Sequence, residues 1–299
     1  MSGTAPRLQR TKPSPSAGSP PEETAGLSIS PALYAKFQRL IHQETGIWLG
    51  ESRTALLCGR LSRRLRALQM ETLDEYYEFV TLPNHNEERV AMIDAITTNE
   101  TRFFRDPRHF EFLEQRVIPR WREENRKTVR LWSAGCATGE EPYSLAMLLA
   151  RHLPREQGWN VSILATDVST RVLKHAGVGI YSMTKSSDIP GPLLKDWMLK
   201  GIAKQAGQMK VMPEIQEMVH FQKLNLALGP YPPDSQFDVI FCRNVLIYFD
   251  SPSKQKTVER LMRCLAPKGY LFVGQAENLS SMNTGLRSLA PAIYARAGE

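Results

Sequence analysis

The sequence predicts an α/β chain: a mainly parallel sheet covered by helices, preceded by a small all-helical module and interrupted by a small inserted subdomain. Three observations carry this. After Val129, four short apolar runs, "VRLWSAG", "VSILATD", "FDVIFCRN" and "GYLFVGQ", are mostly separated by helical segments such as "EEPYSLAMLLARHL" and "SPSKQKTVERLMRCLA", the rhythm of strands laid side by side under helices. From Leu27 to about Ile93 the pattern is helical instead. Residues 182–221 break the strand–helix rhythm and are too many for a simple connection.

Taken in order, residues 1–26 are rich in Pro, Ser, Gly and Thr and are expected to form a disordered tail. Residues 27–93 form the helical module. "PALYAKFQRLIHQETG" runs to a stop at Gly46, and "SRTALLCGRLSRRLRALQ" follows, with Leu57, Leu61, Leu65 and Leu68 on one inward stripe. "TLDEYYEFVTL" opens on Thr72, a good N-cap with Glu75 three residues later. Residues 94–128 link the module to the sheet and begin the candidate site, and 129–299 form the sheet domain. No internal repeat is visible.

Composition is that of an ordinary globular protein, and 299 residues suffice for one large and one small domain. No run of 18 apolar residues occurs, so no membrane span is expected. The start lacks a basic stretch before an apolar core, so no secretory signal is expected either. Cys58, Cys136, Cys242 and Cys264 are scattered without C-x-x-C spacing, which argues against a disulfide or metal framework and fits a reducing cytoplasm. The six histidines show no ligand spacing and are expected at surfaces or helix ends; no metal is implied. A formal charge of +7 points to an acidic partner: nucleic acid, a membrane surface or an acidic protein.

The chemistry is densest in "SAGCATGEEPYS", residues 133–144. It looks like the glycine turn of a nucleotide-binding βα unit, yet two carboxylates, Glu140 and Glu141, stand where a phosphate would sit. Acids in a first turn stabilise the helix dipole by roughly 0.3–1 kcal/mol, which accounts for one of them. Gly135 and Gly139 point to a close backbone approach, but their spacing is not that of a dinucleotide fingerprint. A cationic nucleoside removes the conflict, and S-adenosylmethionine, with an ammonium and a sulfonium, is such a ligand. Asp167, ending "ILATD", is placed to accept from ribose hydroxyls; by itself it is equally a cap for the helix that follows. "FDVIFCRNVLIYFD" brings Arg243, Asn244 and Tyr248 to the carboxyl edge of a strand. The Asn/Asp-Pro-Pro-Tyr turn of adenine-modifying DNA methyltransferases is missing there. "TTNETRFFRDPRHF" precedes the sheet; Phe103 and Phe104 are expected to pin the helical module to the sheet domain, leaving Asn99, Thr101 and Arg105 to face the cleft.

In order along the chain, "TTNETRFFR", "SAGCATGEEPYS", "ATDVS" and "FCRNVLIYFD" resemble the chemotaxis receptor methyltransferase family, CheR, from about Leu27 to the C-terminus. The resemblance implies a Rossmann-like catalytic domain with an inserted β-subdomain. It also implies transfer of methyl from S-adenosylmethionine to glutamate side chains of bacterial chemoreceptors, leaving S-adenosylhomocysteine. By motif, Asn99, Thr101, Arg105, Glu141, Asp167, Asn225, Leu226, Arg243 and Asn244 are the implied cofactor contacts. Arg105 and Tyr248 are the residues implied near the transferred methyl. Cys136 departs from the small residue common in the loop, without an expected loss of binding.

In "ESRTALLCGRLSRRLR", Arg53, Arg60, Arg63 and Arg64 suggest a basic docking face for the receptor's cytoplasmic helices, a solvated face being the plainer alternative. The insert's "KGIAKQAGQMKV" departs from the Gly-x-Gly of some members, leaving open whether it tethers a receptor's C-terminal peptide. Two rivals remain: an S-adenosylmethionine-dependent methyltransferase of RNA or protein nitrogen, and a signalling protein that binds the cofactor without using it. The basic helix also permits nucleic-acid binding, but no zinc spacing or RNA-binding aromatic motif accompanies it.

Overall fold

A computed structural model describes residues 27–232, 236–280, 282 and 284–296. The expected tail at 1–26 lies outside the described residues.

Four helices form the N-terminal module. Helix α1, Pro31–Thr45, begins where the Ser30 hydroxyl accepts from the Leu33 amide and ends at Gly46, whose left-handed φ of 74° lets its N–H reach His42 O. Helix α2, Thr54–Leu68, buries Leu57, Leu61 and Leu65, with Leu68 packed at the margin of the same cluster. Helix α3, Leu73–Thr81, is capped by the Thr72 hydroxyl accepting from Glu75 N. The Glu75 carboxylate takes the amide of Glu71 rather than that of Thr72, so the reciprocal half of the box is shifted by one residue. Helix α4, Asn86–Ile96, closes the module around Phe37, Leu61, Tyr76 and Met92, all fully buried. Burying side chains of this size contributes about 1.5–3 kcal/mol each, which is what holds the short helices together.

The segment 97–106 leads through α5, Pro107–Phe112, a π-turn and α6, Ile118–Glu123, into the sheet domain. Its strands are β1 (Thr128–Ala134), β2 (Asn160–Asp167), β6 (Val219–Lys223), β7 (Phe237–Cys242), β8 (Leu265–Val273), β9 (Leu286–Ala290) and β10 (Ile293–Arg296). They stand in the order β6-β2-β1-β7-β8-β10-β9, parallel except that β10 runs antiparallel to both neighbours. Every residue of β7 is buried, the mark of a strand covered on both faces. Helices α7 (Glu140–His152), α8 (Thr170–Val178) and α11 (Ser251–Cys264) make the crossovers next to the site. From β1 the chain winds outward to β2 on one side and later to β7 on the other, so a switch point opens at the carboxyl ends of β1 and β7.

Between α8 and β6 lies a three-stranded antiparallel sheet, β3 (Ile180–Ser182), β5 (Gln208–Val211) and β4 (Met198–Lys200), with α9 (Gly191–Trp197) beside it and α10 (Pro213–Gln216) after it. Residues 219–223 pair with β2 in the large sheet, so the interruption ends before position 221. Strand β6 escaped the sequence because Val219 alone is buried in it; β9, with no buried residue, escaped for the same reason. Phe103 packs edge-on to Tyr181 of β3 and Phe104 against Phe110, within the core of the sheet domain. They pin the 97–106 segment to that domain and to the insert, not to the helical module. His109, expected at a surface or helix end, is fully buried, set edge-on to the stacked rings of Phe241 and Phe272.

The module meets the sheet domain through the chain just after α1. Ile47 bridges Phe249, Trp48 N–H donates to Tyr248 O at 2.8 Å, and the Asn225 amide donates to Glu44 O at 2.7 Å. Gly46 lies so close to Ala227 that an added Cβ would stand 2.1 Å from the alanine's own.

Candidate active site

The cleft opens at the carboxyl ends of β1 and β7 and is closed from above by α2 and the 44–50 and 97–101 segments. All ten cofactor and catalytic residues expected from the sequence line it: Asn99, Thr101, Arg105, Glu141, Asp167, Asn225, Leu226, Arg243, Asn244 and Tyr248. Their side chains do different things.

The loop after β1 holds three residues in left-handed conformation, Gly135 (φ 86°), Ala137 (φ 47°) and Gly139 (φ 96°). Both glycines serve close approaches within the protein: a Cβ at 135 would stand 2.3 Å from Val245, and one at 139 would meet Ala176 and Tyr181 at 2.8 Å. Ala137 is held by its N–H, which donates to Asp167 Oδ2 at 2.9 Å, while Asp167 Oδ1 accepts from Ser169 N. Asp167 thus fastens the loop to the end of β2 and still presents its carboxylate to the cleft; Ser169 is the true cap of α8. Burial raises the Asp167 pKa, with the Ser169 and Ala137 amides pulling it back. Burial also pushes the Cys136 thiol up, so it is an inert filler.

The paired acids diverge. Glu140 is fully buried, accepts from the Thr138 hydroxyl at 2.6 Å and ion-pairs with Lys185 of the insert. Glu141 faces the cleft, accepting from Ser133 Oγ at 2.8 Å and from Arg243 Nη1 at 3.1 Å. Arg243 is buried; its Nη2 donates to Asp106 Oδ2 at 2.5 Å and to Arg105 O at 2.7 Å. It therefore acts as a bracket joining β7, α7 and the 97–106 segment. Two carboxylates around one guanidinium leave the cluster negative. Burial raises the pKa of Glu141 against the lowering pull of Arg243 and Ser133. At Asp106 burial also raises, but the Arg243 hydrogen bond and charge win and the pKa is lowered.

The 97–106 segment is strained on either side of Arg105: Phe104 (φ 48°) and Asp106 (φ 56°) are both left-handed, each at a cost of roughly 1–3 kcal/mol. The Ser144 hydroxyl takes the Phe104 amide and Arg243 takes Asp106, so the arrangement is over-determined. Half-exposed Arg105 is left over the cleft, its guanidinium making a single hydrogen bond among the described residues, to Glu100 O at 3.3 Å. Asn99 donates to Thr97 Oγ1 at 3.1 Å. Asn225 braces its own loop through Ala227 N and Leu228 N, and the Leu226 side chain belongs to the core beneath.

Asn244, left-handed after β7 (φ 59°), is fixed by its N–H to Glu277 Oε2 at 2.8 Å. Glu277 also takes Gly274 N and Ile247 N, and reading the sequence did not single it out. Its signal was an acid four residues past the end of β8, in "GQAEN". The Asn244 Oδ1 is buried at the cleft without a hydrogen-bond partner among the described residues. An orphan acceptor beside a negative cluster suits a ligand that brings N–H donors and positive charge.

The basic helix is less free than its sequence suggests. Arg60 bonds Ile96 O and the Thr98 hydroxyl, and Arg64 holds Glu88 through two contacts of 2.9 and 2.5 Å. Arg53 lies over the Tyr248 ring, 5.4 Å from its centroid, and lines the cleft with Arg60. Arg63 is exposed. Arg60 and Arg64 therefore hold the module together rather than forming an open face.

A cleft at a sheet's switch point with acids at its base has the character expected of a site for a cationic nucleoside such as S-adenosylmethionine, the methyl donor of a large class of methyltransferases. Comparison with known proteins agrees. The description "CheR methyltransferase, SAM binding domain" matches residues 99–294, and "CheR methyltransferase, all-alpha domain" matches 32–97. "Chemotaxis protein methyltransferase 2" of Pseudomonas aeruginosa is 36% identical over 264 residues, covering 88% of this chain and 92% of the relative. The "Chemotaxis protein methyltransferase" of Escherichia coli is 36% identical over 273 residues, covering 91% and 93%. That of Borreliella burgdorferi is 34% identical over 273 residues, covering 90% and 95%. The chain belongs to the CheR methyltransferase family.

Proposed function

We propose that this chain, in the cytoplasm, methylates glutamate side-chain carboxylates on the cytoplasmic helices of bacterial chemotaxis receptors. The observation that carries the reading is the sorting of charge along the cleft. The largely buried Glu141 and the buried Asp167 lie against the sheet, whereas the part-exposed cations Arg53, Arg60 and Arg105 come from the walls above. A cation belongs at the base and an anion arrives over it.

Glu141, Asp167 and the orphan Asn244 Oδ1 would hold the donor, with Asn99, Thr101, Asn225, Leu226 and Arg243 shaping its walls. When bound, S-adenosylmethionine supplies a methyl group that passes to a carboxylate oxygen as the carbon–sulfur bond breaks, leaving S-adenosylhomocysteine and a methyl ester. A glutamate has a pKa near 4.3 and is ionised at neutral pH, so the chain needs no general base. Its residues supply alignment, a contribution on the order of 7–11 kcal/mol when reacting atoms are held in line. Arg105 and Tyr248, both at the cleft, would steer the incoming carboxylate. The looseness of Arg105 matters, because a two-pronged clamp would blunt the oxygen nucleophile.

Transfer of labelled methyl from the donor to a receptor fragment, followed by mild alkali, tests this. Release of labelled methanol is expected. Label that stays on the acceptor, as an N-methyl group does, would replace glutamate with a nitrogen acceptor. Donor that binds without any transfer would replace catalysis with cofactor sensing.

A further inference from the structure

The inserted subdomain touches the glycine loop directly. Tyr181, in β3, donates its hydroxyl to Thr138 O at 2.7 Å and packs where a Cβ at Gly139 would go. Lys185, four residues on, pairs with the buried Glu140, which in turn accepts from the Thr138 hydroxyl. Neither Tyr181 nor Lys185 lines the cleft. The loop is thus gripped from both sides: by Asp167 through Ala137 N on the cleft side, and by the insert through Thr138 and Glu140 on the outer side.

A loop with left-handed residues at 135, 137 and 139 does not keep that shape unaided, least of all at Ala137, where the Cβ crowds its own backbone. Released on its outer side, it would relax and shift Ala137 N and Asp167 together. We propose that Tyr181 and Lys185 are positioning residues for cofactor binding, and that the insert sets the shape of the donor loop. The inference rests on the reading that this loop, with Glu141 and Asp167, holds the donor. It has a thermodynamic corollary. Anything that shifts the insert alters donor affinity, and bound donor alters the insert to the same degree.

The test measures the dissociation constant for S-adenosylhomocysteine by calorimetry, and acceptor KM and kcat at saturating donor. Tyr181→Phe keeps the ring against Phe103 and removes only the hydroxyl; the pair Glu140→Gln with Lys185→Met removes both charges of the ion pair at once. Each should weaken S-adenosylhomocysteine binding about three- to tenfold, the worth of a lost hydrogen bond, while acceptor KM and kcat stay within about twofold. Lys185→Arg, which keeps the ion pair, should keep wild-type affinity. Unchanged affinity in both altered proteins overturns the proposal. So does a parallel rise in acceptor KM, which would signal general loosening. Failure of the wild-type chain to bind S-adenosylhomocysteine overturns the site reading itself, and this inference with it.

Discussion

Glu141 is the residue on which donor binding turns. Its pKa is raised by burial against the lowering pull of Arg243 and Ser133, so it takes up a proton more readily than an ordinary carboxylate, and protonation competes with a cationic ligand as the pH falls. Donor affinity should therefore be full above that raised value and fall as the pH drops through it. Glu141→Gln should weaken S-adenosylhomocysteine binding about 10- to 100-fold and flatten the acid limb, read by calorimetry across pH. An unaltered acid limb would move the titration elsewhere. His109 acts on the fold instead. Burial and the nearby Arg243 hold its pKa down to about 4, below the ordinary 6.5, so the folded chain keeps it neutral. Its contribution is whole above about pH 6.5 and is lost as the pH falls toward about 4. Wild type should lose about 2 kcal/mol of stability between about pH 7.5 and pH 5 on this account, and His109→Leu should lose less, by urea unfolding at each pH. At the methyl-transfer end, Arg105→Ala and Tyr248→Phe should lower kcat measured at saturating donor. Wild-type turnover in both would remove them from the reaction.

Among the elements, the basic helix α2 shows where reading the sequence reached its limit. The leucine stripe and the arginines were plain, but the stripe decides only which face is inside. Which arginines are free depends on what approaches from α4: Glu88 and the Ile96 carbonyl, both remote in sequence. Arg64→Ala should cost about 2–4 kcal/mol by stranding Glu88, buried beside Tyr76. Arg63→Glu should leave unfolding within about 0.5 kcal/mol and raise acceptor KM about two- to fivefold. Equal stability losses in the two would contradict this division. The same limit governs the rest of the fold. Strands β1, β2, β7 and β8 were legible because both faces are covered and the apolar runs are continuous. Strands β6 and β9 carry no such run, and the buried run of β10 is only Ile293, Tyr294 and Ala295. In the site, the glycine loop and "CRN" announced themselves by composition, whereas Asp106 and Glu277 look like ordinary surface acids until the tertiary fold brings Arg243 and three backbone amides to them.

For the whole molecule, charge is the long-range variable. A net +7 with arginines at the mouth should draw acidic acceptors at a rate that screening weakens. Between about 0.05 and about 0.3 M salt, acceptor KM should rise several-fold while S-adenosylhomocysteine affinity, set by buried groups, changes little. A salt-independent KM would remove steering. The contact of Gly46 with Ala227, and of Trp48 N with Tyr248 O, carries a different consequence. The binding chamber is walled by both domains, and these contacts clasp them through residues some two hundred positions apart along the chain. A protein severed at residue 98 should yield two pieces that ignore S-adenosylhomocysteine separately and recover it on mixing.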